Sequence, residues 1–525
     1  MASILLRLGT RRSALARAQS GLVARSLEAR HPDVRVELVG IHTRGDQILD
    51  QPLSQVDGKE FFTAELDHAL LRGDVDFTVH SFKDLALERP PQLLMAAVPR
   101  RENPRDIVLF AADVPARLAA GAALRIGSSS PRRAAFVPEF LRQALPGGAA
   151  HVELCELRGN VDSRLRRLRE PRGSARQLDG VILAFAGLAR LWQDLASGRA
   201  LLTELLADLP RMVLPLTAVP GAPAQAALGI ECRADDVRTV ALLQALDDAP
   251  TRAAVAQERR LLAERGGGCH QRFGATQLAV SGLGSLLYWR DASDGVGRAT
   301  LQWTPEAPLP LRGAVRNAWD GSRQVASEAR ATDDASQRCA AALATVQACF
   351  IAHRRALPEF DGVLAAAQLG PARHVWVPGT ETWQALAKRG VWVEGCAEGL
   401  GFESLHAALG EPMLQLPAIT SWLALTHAAA LNGWSSAGPR ALATYHQLAA
   451  GEPAAPADAS HYYWHSTAQF ERWNSDSRAA ASQAQHACGF GKTAACLRAA
   501  GVPHLTVFPS VMQWREWLGG AGNAP

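Results

Sequence analysis

Short apolar runs alternate with helical patterns along the first half of the chain, and this alternation restricts the fold more than any other feature. A first series predicts strands at 4–8, 34–41 and 76–79, with helices at 14–27 and 62–71. A second series predicts strands at 124–127, 152–157 and 180–185, with a helix at 161–168. Strands that alternate with helices form α/β sheets, so we predict two doubly wound lobes.

The chain has 525 residues, more than one hydrophobic core usually supports, so further domains are expected. A helix at 253–266, short strands from 273 to about 325 and a helix near 334–345 predict a small third α+β domain. The net charge of +4 comes from scattered arginines, which argues against a nucleic-acid tail. Because no apolar run reaches membrane-spanning length and no secretory leader is evident, we expect a cytoplasmic protein without a membrane partner. We also expect no nucleic-acid partner and a monomer.

Polar segments follow several of these strands, where the ligand crevice of an α/β sheet lies. His80-Ser81-Phe82-Lys83-Asp84 sets one carboxylate among a cation, an imidazole and a hydroxyl, which suits a tuned acid or a counter-ion. A solvated loop is the alternative. Gly127-Ser-Ser-Ser130-Pro-Arg132-Arg133 turns from a strand into a helix N-terminus, which suits carboxylate binding. Further arginines that could converge on a polyanion are Arg11, Arg158, Arg164 and Arg190.

One cysteine stands apart from the other seven. Gly266-Gly-Gly-Cys269 removes steric cover from a thiol and lets the backbone approach whatever is bonded to it, although a tight turn with a passive cysteine is the alternative. The eight cysteines form no C-x-x-C pair and no Cys/His spacing suited to zinc. We therefore predict neither a disulfide scaffold nor a metal site.

Together these motifs resemble the porphobilinogen deaminase (hydroxymethylbilane synthase) family over about residues 4–345. The resemblance is carried, in order, by Thr10-Arg11-Arg12-Ser13, Thr43-Arg-Gly-Asp46, Gly58-Lys59, His80-Ser-x-Lys-Asp84, Glu102-x-Pro-Arg-Asp106, Ser129-Ser130-x-Arg132-Arg133, Leu157-Arg-Gly-Asn-Val161, Gly229-Ile-Glu-Cys-Arg233 and Gly267-Gly-Cys269. It implies two lobes like those of type II periplasmic binding proteins and a third domain. The implied domains are 1–100 with 226–246, then 101–225, then 247–345.

The resemblance also implies a transferase of tetrapyrrole (haem) biosynthesis. Cys269 would hold a dipyrromethane covalently, and four porphobilinogens would be added head to tail with loss of ammonia. Asp84 matches the family's catalytic carboxylate, with Lys83, and with Lys59 and Phe62 on a mobile loop over the cleft. The implied cofactor ligands are Ser81, Lys83, Asp84, Ser130, Arg132, Arg133, Arg158 and Arg164. The implied substrate ligands are Arg11, Ser13, Arg158, Arg164 and Arg190.

One departure from the family pattern lies near the expected hinge between the lobes. The family has a Gly-Gln-Gly-Ala stretch, whereas this chain reads Pro223-Ala-Gln225-Ala-Ala. Glycine adopts backbone conformations that alanine avoids, so the local backbone is the feature this departure puts in question.

Residues 346–525 carry a weak internal repeat, strand, gap, strand, Gly-x-Thr turn and helix, which predicts two similar α/β sub-domains. This region is similar to uroporphyrinogen-III synthase, a lyase, and that similarity implies a bifunctional chain. The candidate residues of this second site are Thr380, Thr382, Tyr445, Ser466 and Thr493. The alternatives are a deaminase with a non-catalytic C-terminal domain and, from another class, a carboxylate-binding module without chemistry.

Overall fold

The protein is described by a computed structural model, and the residues that it describes are 4–43, 63–147, 151–194, 198–268, 271–293, 297–309, 315, 317–321, 328–332, 334–358, 373–434, 438–448, 455–456, 458–467, 469–471, 473 and 484–521. The strands, in chain order, are β1 Ile4–Arg11, β2 Val34–Ile41, β3 Phe77–Ser81, β4 Leu93–Ala97, β5 Asp106–Phe110, β6 Leu124–Gly127, β7 Val152–Cys155, β8 Gly180–Ala184, β9 Arg211–Val213, β10 Leu228–Arg233, β11 Phe273–Val280, β12 Gly284–Asp291, β13 Arg298–Thr304, β14 Ala318–Trp319, β15 Glu328–Ala331, β16 Ala348–Ile351, β17 His374–Val377, β18 Gly395–Cys396, β19 Leu423–His427, β20 Arg440–Leu448, β21 His461–Trp464, β22 Gln485–Gly489 and β23 Leu505–Phe508.

The α-helices, in chain order, are α1 Ala14–Arg30, α2 Ala64–Leu71, α3 Val114–Ala119, α4 Pro131–Ala144, α5 Val161–Arg166, α6 Phe185–Gln193, α7 Gly198–Leu206, α8 Val237–Gln244, α9 Ala249–Ala263, α10 Ala335–Ala344, α11 Thr380–Ala387, α12 His406–Leu409, α13 Lys492–Ala499 and α14 Val511–Ala521. Ser13 caps the first helix, because its side chain accepts a hydrogen bond from the amide of Ala16. None of the helices in the described ranges is long and apolar enough to cross a membrane.

The first two lobes are built on mixed five-stranded sheets rather than on purely parallel ones. The first sheet has the order β2-β1-β3-β10-β4, and β10 runs antiparallel to both of its neighbours. The second has the order β7-β6-β8-β5-β9, with β5 antiparallel to both of its neighbours. The chain passes from the first sheet to the second after β4 and returns before β10. A strand that enters from the other lobe needs no helical crossover, so it can join in the antiparallel sense.

The third unit is a three-stranded antiparallel sheet, β11-β12-β13, preceded by α9. The third domain was predicted to extend to residue 345, but strands beyond β13 do not join its sheet. Strand β14 pairs with β21, and β15 pairs with β20, so both belong to sheets of the C-terminal region. Strands of two and four residues carry too little sequence pattern to predict a pairing partner. Their sheet is determined by tertiary contacts.

The C-terminal region contains two further sheets, with the orders β15-β20-β19-β16-β17-β18 and β14-β21-β22-β23. Each copy of the sequence repeat forms two parallel neighbouring strands followed by a helix, β16-β17-α11 and β21-β22-α13. Trp383 on α11 and Trp422, directly before β19, are buried in the core of this region with no exposed surface.

Candidate functional site

Asp84 lies at the carboxyl end of a central strand of the first sheet. Strand β3 ends at Ser81 and continues as a 3₁₀ turn, Phe82–Asp84, in which Phe82 is buried and Asp84 is exposed. Helix α9 holds this turn from behind: the Arg259 guanidinium donates to the carbonyl oxygens of Leu85 at 3.1 Å and Ala86 at 2.6 Å. The carboxylate is therefore presented at an open edge on a well-anchored turn.

The neighbouring Lys83 connects the two lobes electrostatically. It is half-buried, and burial lowers the pKa of its ammonium, with Asp84 opposing that shift and Arg133 reinforcing it. Asp106 and Arg132 of the second lobe also act on it. Because charges influence a pKa only over short distances, the end of β3 lies near the N-terminus of α4.

Asp106 binds two adjacent arginines at once. Its carboxylate oxygens accept 2.7 Å and 2.8 Å hydrogen bonds from Arg132 and Arg133, and all three residues are buried. Each arginine also donates to a backbone carbonyl, of Pro220 at 2.7 Å and of Ile182 at 3.0 Å respectively. One anion against two cations leaves a net positive charge, and the Nε atoms of both arginines are buried without a hydrogen-bond partner among the described residues.

Two further arginines extend this positive surface. Arg164, on α5, donates from Nε to the Gly159 carbonyl at 2.7 Å, and burial together with Arg133 lowers its pKa to about 10, against the effect of Asp84. Arg158 acts on the same group. The structure thus brings together Asp84, Lys83, Arg132, Arg133, Arg158 and Arg164.

The glycine segment before the cysteine lies beside the Asp84 turn. Gly266, Gly267 and Gly268 all have positive φ, +83°, +69° and +95°. A Cβ on Gly267 would meet Leu87 Cδ1 at 2.8 Å, so this glycine lies against the residue three positions after Asp84, and its positive φ favours glycine there. Cys269 itself, with Lys59 and Phe62, lies outside the described residues.

The remaining predicted ligands of the first site hold mixed positions. Ser130 caps α4 by accepting from the Arg133 amide at 3.4 Å, and Ser81 exchanges hydrogen bonds with Gln19. Arg11 acts on the pKa of His80 and so lies near the end of β3. Arg190 lies apart from these residues: it is buried on α6 and donates to the Ala226 carbonyl at 2.6 Å. Its pKa is lowered by burial and by Arg101 and raised by Glu102, and not by Asp84 or the arginines near it.

Beneath the Asp84 turn lies a buried polar cluster that the sequence did not reveal. Ligand atoms of Asp67, His80 and Glu231 lie within 4.8 Å of one another, a spacing that a cation could use. Arg89 instead donates to Asp67 at 2.6 Å and to Glu231 at 2.7 Å and 2.9 Å. Burial lowers the pKa of His80 to about 4, so the ring is neutral at neutral pH. The guanidinium therefore already occupies both carboxylates, and burial raises the pKa of Asp67, which reduces the remaining negative charge.

The alanines that replace the family's glycines adopt the glycine conformation. Ala224 and Ala226 have φ of +63° and +70°, and both are buried. Gln225 between them donates to Asp106 at 3.0 Å and to the Pro104 carbonyl at 2.8 Å. The departure in sequence therefore places two alanines in a left-handed conformation that favours glycine, which adds strain at the crossover between the lobes.

Of the predicted second-site residues, Tyr445 has the most distinctive surroundings. His353 follows β16, His427 ends the neighbouring β19, and their ring centroids lie 6.4 Å and 5.8 Å from that of Tyr445. Burial and two nearby arginines lower the pKa of His353 to about 4. Neither histidine was predicted as a site residue, although His427 ends β19 and His353 lies two residues after β16.

The other predicted residues of this region are dispersed over both C-terminal sheets. Thr380 begins α11, Thr382 is buried in it, Ser466 accepts from the Gln469 amide at 3.3 Å, and Thr493 lies in the first turn of α13. Beside Thr493, the ammonium of Lys492 lies over the Trp434 ring, which joins the two C-terminal sheets.

Comparison with known proteins gives one consistent result for the first half. The family model described as "Porphobilinogen deaminase, dipyromethane cofactor binding domain" matches residues 6–241. The porphobilinogen deaminase of Trichlorobacter lovleyi is 42% identical over 269 residues, which are 51% of this chain and 77% of that protein. The porphobilinogen deaminase of Roseiflexus sp. (strain RS-1) is 41% identical over 269 residues, 51% of this chain and 80% of that protein.

Among solved structures, the BenM effector binding domain with its effector benzoate is 14% identical, with a TM-score of 0.26, over 51% of this chain and 96% of that one. A likeness this distant supports no statement about the function of this chain.

Proposed function

Because this chain belongs to the porphobilinogen deaminase family, we propose that its first three units join four porphobilinogens into hydroxymethylbilane, with loss of ammonia, on a dipyrromethane held by Cys269. The observation that carries the residue assignment is the position of the Asp84 turn, between the glycine segment before Cys269 and the arginines of the second lobe.

The residues present fit a cofactor that carries several carboxylates. The Nε atoms of Arg132, Arg133 and Arg158 are buried without a hydrogen-bond partner among the described residues, although each can donate. The three glycines before Cys269 all have positive φ, a backbone conformation that residues with side chains seldom adopt. When bound, the dipyrromethane supplies the pyrrole end on which chain growth starts. Arg132, Arg133, Arg158, Arg164 and Ser130 would hold its carboxylates.

Asp84 is suited to proton transfer and to stabilising positive charge. It is an exposed carboxylate on a fixed turn, and no hydrogen bond occupies it within the described part of the chain. An oxygen of Asp84 can therefore accept a proton from a pyrrole nitrogen or stand as its counter-ion. Lys83, whose pKa is lowered by burial, would bind a side-chain carboxylate or return a proton.

The arginines perform a second task as the product grows. Every added unit brings further carboxylates, and the resulting repulsion must be balanced by fixed cations. Arg132, Arg133, Arg158 and Arg164 would serve both cofactor and substrate, with Arg11 and Ser13 at the lobe-one side. The proposal also assigns Lys59 and Phe62 to a covering loop. Arg190 is assigned to the crossover that it hydrogen-bonds rather than to the substrate.

Two variants test this assignment. Cys269→Ala is expected to yield folded protein without the pyrrole cofactor, and Asp84→Ala is expected to keep the cofactor but to lose nearly all turnover of porphobilinogen. Cofactor content is read by the colour reaction of the denatured protein with Ehrlich's reagent, and turnover by uroporphyrin absorbance after oxidation. An Asp84→Ala enzyme with normal turnover would remove Asp84 from the mechanism.

We further propose that the C-terminal region closes hydroxymethylbilane to uroporphyrinogen III. The supporting observation is that His427 ends β19 and His353 follows the neighbouring β16, with both rings beside Tyr445 of β20; α/β sheets bind ligands at the carboxyl ends of their strands. Neutral imidazoles and a phenol can exchange protons with a substrate, and Arg355 acts on the pKa values of His353 and Tyr445.

The isomer composition of the product separates the possible functions. The purified full chain is incubated with porphobilinogen alone, and the oxidised porphyrins are separated into types I and III. Mostly type III supports both activities on one chain. Type I alone retains the deaminase and leaves the C-terminal region without cyclase activity, whereas the absence of porphyrin favours a carboxylate-binding module.

A further inference from the structure

Glu398 belongs to the C-terminal region but is buried against the deaminase lobes. It follows β18, at the carboxyl end of that strand, and its side chain has no exposed surface. Its backbone φ is +53°, a conformation that side-chain-bearing residues seldom adopt. A buried, charged residue on a strained backbone persists only where the surrounding structure holds it there.

The carboxylate of Glu398 has three donors, all from the second lobe or the crossover beyond it. Arg105 donates to it twice, from Nη2 at 2.8 Å and from Nε at 3.3 Å, which is the bidentate geometry of strong ion pairs. The amide of Leu216 donates to the same carboxylate at 2.5 Å. Both carboxylate oxygens are therefore used, and the guanidinium has its counter-ion from outside the deaminase part of the chain.

Arg105 directly precedes Asp106, the residue that binds Arg132 and Arg133. Hydrogen bonds also hold the backbone at this point of the chain. Gln225 donates to the Pro104 carbonyl at 2.8 Å, and the Phe185 amide donates to the Arg105 carbonyl at 3.0 Å. A shift of the Arg105 backbone would move the Asp106 carboxylate with it. The orientation of two proposed carboxylate-binding arginines thus depends on this segment.

The part of the C-terminal region that carries Glu398 is itself fixed to the second lobe. Trp392 is buried, stacks edge-on against Phe110 with centroids 5.1 Å apart, and donates to the Arg211 carbonyl at 3.0 Å. The Val213 amide of edge strand β9 donates to the Glu394 carbonyl at 2.7 Å. Such contacts resemble the interior of one domain, so Glu398 is held in place on the second lobe.

We propose that Glu398 is a positioning residue for the deaminase reaction, supplied by the C-terminal region, which orients Arg132 and Arg133 toward the carboxylates of substrate through Arg105 and Asp106. The inference rests on the proposed deaminase function. It assigns the C-terminal region a part in porphobilinogen binding whether or not that region has an activity of its own. Asp84 stands on a different lobe and is held by α9, so the proton-transfer step is not part of this chain of contacts.

The test compares Glu398→Gln with wild type in the full-length chain. Glutamine keeps the shape and one acceptor oxygen but removes the charge that holds Arg105. The expected result is a rise of roughly tenfold in the KM for porphobilinogen, with kcat within about twofold of wild type, the signature of lost substrate binding. Glu398→Asp keeps the charge on a shorter side chain and should give a smaller change in the same direction. Glu403→Gln, an exposed glutamate in the same stretch, is the matched control and should leave both constants unchanged.

A purely structural role gives a different pattern. It would lower the melting temperature and the fraction of active enzyme, and so the apparent kcat, while KM stayed at the wild-type value. An unchanged KM in Glu398→Gln, with or without a lower melting temperature, overturns the inference. A wild-type chain that forms no hydroxymethylbilane overturns the proposed function instead, and this inference with it.

Discussion

The buried ion pairs around Asp106 allow a quantitative prediction. Asp106→Asn keeps the shape of the side chain but replaces the one anion that two buried arginines share. Burial alone would raise the pKa of Asp106, yet the charges of Arg132 and Arg133 outweigh it and hold that pKa well below its usual range. The substitution therefore leaves two like charges facing each other in a site closed to water, where neither can be solvated.

The cost follows from the contacts that survive. Each guanidinium keeps its backbone carbonyl, and asparagine still accepts one hydrogen bond. Breaking a buried pair from one side costs about 3–5 kcal/mol in comparable cases, so we expect the free energy of unfolding to fall by about 4 kcal/mol. For a domain of this size each kcal/mol lowers the melting temperature by about 2–4 °C, which gives a decrease of about 8–16 °C.

The measurement is thermal unfolding followed by circular dichroism at neutral pH. Asp74→Asn is the matched control, because Asp74 forms an ion pair with Arg72 at 2.7 Å in which both side chains are more than half exposed. That pair contributes less than about 1 kcal/mol. A melting temperature of Asp106→Asn indistinguishable from that of the control would refute the argument that the buried carboxylate balances both arginines.

Two further predictions concern the crossover and the buried histidine. Ala226→Gly removes a Cβ from a residue at φ +70° and should raise the free energy of unfolding by about 1 kcal/mol, visible as a higher melting temperature; a lower one would show that the alanine methyl contributes more than the strain costs. Burial lowers the pKa of His80 to about 4, so as the pH falls from about 6.5 the unfolded chain takes up a proton before the folded chain does. The free energy of unfolding therefore decreases toward pH 4, by up to roughly 3 kcal/mol. His80→Gln should flatten this part of the pH profile, and an unchanged slope would place the titration elsewhere.

The sequence predicted much of the first half because its signals are local. Alternating apolar runs placed strands such as β2 at Val34–Ile41 as observed. The likeness to the deaminase family rests on short ordered motifs, and the comparisons confirm that family for about half of the chain. The two antiparallel strands in these sheets were not predicted, because strand direction depends on where the chain enters the sheet.

Residue chemistry by itself identified the arginine-rich motifs, the aspartate after a buried strand and the glycine-framed cysteine, since each is a property of a few consecutive positions. Which groups those arginines would meet was decided only by the tertiary structure. Asp106 binds two adjacent arginines on α4, Arg259 holds the Asp84 turn from a helix 175 positions later in the chain, and Glu398 pairs with Arg105 from another region altogether. Ion pairs and caps of this kind join residues that share no local pattern, and only the packing of whole domains removes the water that would otherwise separate their charges.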